Sequence, residues 1–453
     1  MIGRNEIGRM LAAALDALRK AGADQGHAEC VCGAIALTRF ADNRIHQNVA
    51  EEGARVSMIA AAGRKLGGAA TNRTDAKGFA DAAERAVTIA KRQADDPDFP
   101  GFKEWPEASE LPEAFDAETA GMSADSRARI AQRAAEYAKA RDVAAYGAVK
   151  TGGGELAVAN TSGTFQYFAG SSIGASCTGM IAGAAGSEGH GARAISIIGD
   201  SVAKFGMLAV DTALKAREPK ECGDGEWPVV LSPRAVGELL RFLSWLGFNA
   251  RSHQEGRSCL CGKLGQKIMS DLVTVIDDGL SLDGQPLPFD SEGAPRRRLT
   301  LIEKGVPREL AHDSRTAEKA GIASTGHSYG PMSYGGASPQ HLFMLPGNAT
   351  VDEMIASTER GLYVSRFWYT NVAEPAKGVL TGMTRDGLFL IEKGEVRHPV
   401  RNMRFTESVV EALNRVEMVG SVLANAGDEW GSGVTRCPAL KMSAFRFSGA
   451  TKF

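Results

Sequence analysis

The chain has 453 residues, 43% hydrophobic and 23% charged, with a formal net charge of -2. At about 100–200 residues per domain this length gives two to four domains with sizeable cores, and the composition is ordinary for a globular protein. The near-neutral charge offers no broad attraction to nucleic acid or to an anionic membrane, and no apolar run reaches the about 18 residues that span a bilayer.

The first element is an amphipathic helix running to about Lys20, with Asn5 as its expected cap. Met10, Leu11, Ala14, Leu15 and Leu18 form its apolar stripe and Gly22 stands where a terminating glycine belongs. Its charges leave no room for a secretion signal, so a cytoplasmic location is expected. Short strands are predicted at 34–37, 44–47 and 54–59, then a second helix from near Asp75 that buries Phe79, Ala82, Ala83, Ala86, Val87 and Ala90. Residues 94–114 hold Pro97, Pro100, Pro106 and Pro112 among many acids and read as a linker.

A helix over 124–141, short strands that include 156–160 and 164–168, and a helix over 201–216 repeat the same element order without a matching residue pattern. Gly152-Gly153-Gly154 reads as a turn. From Trp227 the chain is strand-rich, with two embedded helices. One begins at Ser232, which can cap it, with Pro233 in the first turn and Val236, Leu239, Leu240, Leu243 and Leu246 on the buried face. The other is predicted over 407–424. Lys393-Gly394 is expected at a hairpin turn. The fold class is therefore α+β and multidomain. Helix-flanked antiparallel sheets occupy domains at 1–95 and 115–218, and a large β-rich domain occupies 222–453.

Seven cysteines, an odd number in a long chain, argue against a secreted disulfide framework. The C-x-C pairs Cys30/Cys32 and Cys259/Cys261 lack zinc-type spacing and are expected to be buried thiols sharing a strand face. Eight histidines are present and none is spaced H-E-x-x-H or H-E-x-x-x-H. A zinc peptidase needs two histidines on one element and a glutamate to activate water. His253-Gln254-Glu255 offers one of each in a polar loop; His312 and His327 read as isolated turn residues; Arg296-Arg297-Arg298 reads as a solvated loop. There is no G-x-S-x-G elbow and no P-loop. The residues by themselves specify no self-sufficient active site.

One stretch is more specific. Tyr369-Thr370-Asn371-Val372-Ala373-Glu374-Pro375-Ala376-Lys377-Gly378 leads to Leu380-Thr381-Gly382 and to Arg385-Asp386-Gly387, and then to Pro399-Val400-Arg401-Asn402-Met403-Arg404-Phe405. With Gly262-Lys263-Leu264-Gly265, Val275-Ile276-Asp277-Asp278-Gly279, Asn160-Thr161-Ser162-Gly163 and Arg44-Ile45-His46-Gln47, it resembles the TldD/PmbA family over nearly the whole chain. In the TldD type, similar proteins bind a metal with an H-E-x-x-x-H helix and a later cysteine. The corresponding positions here are Arg241 to Leu246, and Pro228 to Arg251 contains no histidine. An arginine is a permanent cation and ligates no divalent metal. The cysteine is expected within Ala424–Gly433, which has none, and Cys437 is expected to be a core residue.

The resemblance therefore implies a PmbA-type (also TldE-type) non-catalytic subunit, historically a modulator of DNA gyrase, with no bound metal and no cofactor. Its implied partner is a TldD-type metallopeptidase subunit in a heterodimer, or a second copy in a homodimer, and its substrates are unfolded peptides to be degraded or processed. Neither a membrane nor direct nucleic-acid contact is implied. Candidate peptide-binding residues are Arg241 and Trp245, one helical turn apart, and Tyr369, Asn371 and Glu374, expected in a tight turn. The alternatives are an autonomous metallopeptidase using His253 and Glu255, and a non-proteolytic protein that binds gyrase.

Overall fold

A computed structural model describes residues 1–426 and 434–450. The chain begins with α1 (Arg4–Lys20), β1 (Gln25–Ala41), β2 (Arg44–Ala62), β3 (Lys65–Thr71) and α2 (Ala76–Arg92). The order recurs as α3 (Ala117–Ala120), α4 (Ala124–Lys139), β4 (Ala144–Asn160), β5 (Phe165–Ile181), β6 (Ala184–Ala192) and α5 (Ile195–Lys215). These two runs share one six-stranded antiparallel sheet of order β3-β2-β1-β4-β5-β6, joined at its centre by the β1–β4 ladder. The segments 1–95 and 115–218 are thus continuous through backbone hydrogen bonds. α1 and α2 pack Ile7, Leu11, Phe79 and Val87 onto one half of the sheet, and α4 and α5 pack Ala131, Ala135, Phe205 and Val210 onto the other.

The local reasons differ from expectation in places. Asn5 does not cap α1; Gly3 stands at the cap, and the backbone N–H groups of Ile2 and Gly3 donate to the Glu155 carboxylate of β4 at 2.5 and 2.7 Å. A carboxylate from a distant strand thus satisfies donors that the local sequence leaves open. Gly152–Gly154 lies in the middle of β4 and makes no turn. A side chain at Gly153 would place its Cβ 2.7 Å from the Ala120 methyl of α3, so close packing requires the glycine. Residues 94–114 form no free linker. Phe99 and Phe102 are buried against Ala61 and Leu66, and Asp96 meets Arg315 of the following domain at 2.8 Å.

The C-terminal part continues with β7 (Gly225–Leu231), α6 (Pro233–Gly247), α7 (Ala250–Gln254), β8 (Val275–Asp277), β9 (Leu299–Glu303), β10 (Val306–Pro307) and α8 (Ser314–Ala320). Then come β11 (His341–Met344), α9 (Val351–Ala356), β12 (Arg360–Glu374), β13 (Val379–Glu392), β14 (Glu395–Pro399) and β15 (Met403–Ser408). The last elements are α10 (Val409–Asn414), β16 (Val416–Val419), β17 (Ala424–Ala426), β18 (Val434–Cys437) and β19 (Leu440–Ala450). One sheet runs β12-β7-β19-β15-β13-β14, and β12 also pairs β13, so it closes on itself; the other runs β10-β9-β8-β11-β18-β17. The largest core lies between these sheets and α6.

The hairpin at Lys393-Gly394 stands as expected, with both residues at positive φ (52° and 73°), as a type I′ turn requires. The helix expected over 407–424 is the short α10 flanked by strands. Val416 and Val419 are β-branched, and β19 offers them a ladder in place of a further helical turn. The fold class is α+β with several sheets, as the sequence implied. Among the described residues no helix is long and apolar enough to cross a membrane.

Candidate functional site

Helix α6 is built as its sequence dictates. The Ser232 hydroxyl accepts from the Ala235 N–H, Pro233 sits in the first turn, and Val236, Leu239, Leu240, Leu243 and Leu246 are buried. Gly237 lets β17 approach, since a Cβ there would lie 2.1 Å from the Ala426 methyl. Arg241 faces away from the core. It pairs with Glu238 at 3.0 Å, and its guanidinium carbon lies 4.6 Å from the Phe242 ring centroid.

Across a cleft of about 450 Å³, Arg241, Arg234, Glu238 and Phe242 face Trp368, Tyr369 and Asn371 of β12. Arg366 lines the same cleft; its Nη2 meets the buried Asp386 carboxylate at 2.6 Å. The guanidinium carbons of Arg366 and Arg385 lie 4.9 and 4.8 Å from the Trp368 ring. The cleft is cationic and aromatic, a surface that stacks on planar groups and accepts carbonyl and carboxylate oxygens.

Of the five candidate residues, the structure brings Arg241, Tyr369 and Asn371 to this cleft and leaves two outside its wall. Trp245 is exposed, 6.1 Å from the Phe242 ring, and Glu374 pairs with Lys377 at 2.7 Å on the surface. Tyr369 and Asn371 do not lie in a tight turn. They belong to the long strand β12, at a bulge between Trp368 and Asn371 in its ladder with β13. Tyr369 has φ +55° and is 72% exposed. An aromatic residue held in the left-handed region costs about 1–2 kcal/mol, and such strain is retained where surrounding structure imposes it. The turn follows at Pro375–Lys377, closed by Gly378 at φ +64°.

The metal-ligand candidates behave differently. Among the described residues no three or more His, Cys, Asp or Glu side chains converge as they would around a metal. Glu255 is engaged by Arg251 at 2.8 Å and by Arg257, which hold its carboxyl below the usual range, so it is not presented with His253. His253 lies in the short α7, capped by Asn249, and not in an irregular loop. Cys437 is fully buried on β18, as expected of a core residue, and burial pushes its thiol up. The part of Ala424–Gly433 from 427 to 433 lies outside the described residues. Cys30 and Cys32 are both buried on β1, whereas Cys259 and Cys261 sit in turns and share no strand.

A second polar cluster was not foreseen. His327 is no isolated turn residue. It is buried, its Nε2 lies 2.9 Å from Asp277 Oδ1 and its Nδ1 lies 3.0 Å from Thr325 Oγ1. The His341 N–H donates to Asp277 Oδ2 at 2.7 Å. His312 is likewise buried. Arg296, expected in a solvated loop, is buried and donates to Gln340 at 3.0 Å. Burial works to raise Asp277, but the His327 hydrogen bond and the nearby His341 and Arg296 hold it well below the usual carboxylate range. Burial first, and Arg296 second, lower His341 to about 3. Glu292, which accepts from the Ser328 hydroxyl and the Ser314 N–H, is raised by burial and then by the neighbouring Asp290. The signal for this cluster in the sequence is Asp277-Asp278-Gly279, within the family-like stretch.

Residues 224–449 match the family described as the PmbA/TldA metallopeptidase C-terminal domain. A metalloprotease TldD homolog of Buchnera aphidicola is 31% identical over 222 residues, which cover 48% of this chain and 45% of that protein. A TldD homolog of Haemophilus influenzae is 28% identical over 259 residues, covering 54% and 53%. The chain thus spans about half the length of the curated relatives it matches. The TldE structure from Thermococcus kodakarensis superposes with TM-score 0.87 at 20% identity, covering 97% of this chain and all of the other. At that identity the likeness concerns the fold.

Proposed function

The chain belongs to the TldD/PmbA family through residues 224–449, and on that premise we propose that it is a PmbA/TldE-type subunit that cleaves no peptide itself. It pairs in the cytoplasm with a TldD-type metallopeptidase and lines the space in which unfolded peptides are degraded or processed. The observation that carries this reading is the character of α6. On the family resemblance, Arg241, Phe242 and Leu246 fall at the positions of the TldD-type metal helix, and none of these side chains can bind a metal or take a proton from water. What α6 and β12 offer instead is a half-open cleft of arginines and aromatic rings. Such a cleft grips an extended chain by its carbonyl oxygens and side chains, without choosing one sequence. Free thiols at all seven cysteines agree with a reducing compartment.

The test is metal content by mass spectrometry of the purified chain, with cleavage of an unfolded peptide assayed alone and after addition of a TldD-type subunit. Less than about a tenth of an equivalent of zinc, no cleavage alone and cleavage in the mixture support the reading. About one equivalent with chelator-sensitive cleavage by the chain alone overturns it.

A further inference from the structure

Four glycines stand in one row across the central sheet. Gly53 of β2 pairs Gly33 of β1, Gly33 pairs Gly154 of β4, and Gly154 pairs Gly170 of β5. Cys30 and Cys32 pack with α1 and α2, so the alternating Val31, Gly33 and Ile35 face the other way. On that face the glycine row is a trough. One of its ridges is the cross-strand row Arg55, Val31, Leu156 and Phe168, and Ile35 stands on the other. Val31 and Ile35 are each 50% exposed. The trough floors a cavity of about 740 Å³, bounded on its other side by Pro286, Leu287 and His341 of the C-terminal part. Internal packing does not account for the whole row. A side chain at Gly53 would meet nothing within 4 Å, one at Gly154 only the Cys32 carbonyl at 3.3 Å, and neither glycine has a positive φ. A glycine inside a strand costs about 0.5–1 kcal/mol against alanine, and it marks places where a ligand or another backbone comes close. His341 gives a second, independent sign. It is 6% exposed, and its Nδ1 has no hydrogen-bond partner among the described residues, a polar atom that a peptide group can satisfy.

We propose that this trough holds the main chain of an extended apolar peptide, laid across the four strands between the sheet and the C-terminal loops. Strands about 4.8 Å apart make the row about 14 Å long, the span of about four extended residues. The missing side chains let the peptide backbone approach the sheet, and Val31, Leu156, Phe168 and Ile35 take its apolar side chains on either ridge. Recognition by shape and apolar contact needs no net charge on the ligand. The proposal goes beyond the accessory-subunit reading and survives its failure, since this cavity shares no wall residue with the α6–β12 cleft.

The experiment is photo-crosslinking of the full chain, without any partner, to acetyl-Ala-Val-photoleucine-Val-Ala-amide, with adducts located by mass spectrometry. Adducts are expected within 31–35, 152–156 or 285–287, and excess unlabelled Ala-Val-Ala-Val-Ala amide is expected to suppress them. Gly53→Val fills the trough and is expected to lower their yield about tenfold, at an unchanged or raised melting temperature because valine favours a strand. Should that variant melt lower, Ile35→Ala decides, with an expected loss of about threefold from an exposed position. Adducts confined to 366–371 assign the peptide to the α6–β12 cleft and overturn the proposal. No adducts, or yields indifferent to both variants, also overturn it. A dimerisation that Gly53→Val abolishes, with no peptide adducts at the trough, gives the trough to a second copy of the chain and overturns it too.

Discussion

The α6–β12 cleft and the Asp277–His327 cluster both gather polar and ring-bearing side chains in the C-terminal part, and they are opposites. The cluster has the residue types of an acid–base site, but its His327 and Asp277 side chains are fully buried and every contact closes inward. The cleft has almost no titratable acid–base group, yet Arg241 is accessible and Tyr369 is strained and exposed. Residue type alone therefore misplaces the function. The buried pair holds β8 to the following loops, and the proposed binding falls to the accessible arginines and rings.

The comparison breaks most sharply at Asp277. Asp277→Ala leaves the His327 ring and the His341 backbone N–H without their buried acceptor and is expected to cost about 3–5 kcal/mol, read as a fall in the denaturant midpoint. If stability holds while the cleavage of a mixed complex is lost, the cluster is functional and the contrast fails.

Glu292 sharpens the same side. Its folded-state affinity for a proton is raised, so the folded protein binds more protons than the unfolded chain above the normal glutamate range. Stability from this group is present at low pH and declines as pH rises through the raised value. Glu292→Gln is expected to flatten that decline and to stabilise the protein by about 1–3 kcal/mol at pH 8, measured by melts across pH. His341 acts oppositely: its lowered affinity makes stability rise with pH between about 3 and the ordinary histidine range.

On the cleft side the order of effects reverses. Arg241→Ala removes a partly exposed pair with Glu238 and is expected to change stability by less than about 1 kcal/mol. It is expected to lower peptide cleavage by the mixed complex with stability intact. A variant that unfolds but cleaves normally when folded would show that Arg241 merely supports the helix. The smallest effect is at Tyr369, where Tyr369→Gly relieves the positive φ and is expected to stabilise by about 0.5–1 kcal/mol while weakening peptide capture. A loss of stability there would show that the exposed ring is packed against something in solution.

Much of the frame was legible. The apolar spacing on α1, α2 and α6, the Ser232 and Pro233 start signal and the Lys393-Gly394 hairpin are local, fixed by residues within a turn of one another. The family stretch was legible too, and it named the elements that carry the cleft. Of the candidate site, Arg241, Tyr369 and Asn371 were brought together as three of a shared wall, whereas Trp245 and Glu374, their neighbours in sequence, point elsewhere. Spacing gave their order along the chain and not their direction. A β-bulge at Trp368–Asn371 turned the strand and could not be read from one strand alone.

By itself the sequence determined the elements whose hydrogen bonds and apolar stripes close within a few residues, together with the absence of histidine between Pro228 and Arg251. Tertiary structure decided the rest. It joined two helix-flanked halves into one sheet through β1 and β4 and pinned an acidic proline-rich stretch by Asp96 and Arg315. It also buried His327 against an aspartate 50 residues away. Each of these depends on partners far apart in the chain, and only folding, by excluding water from both at once, makes a contact between them strong enough to fix where they sit.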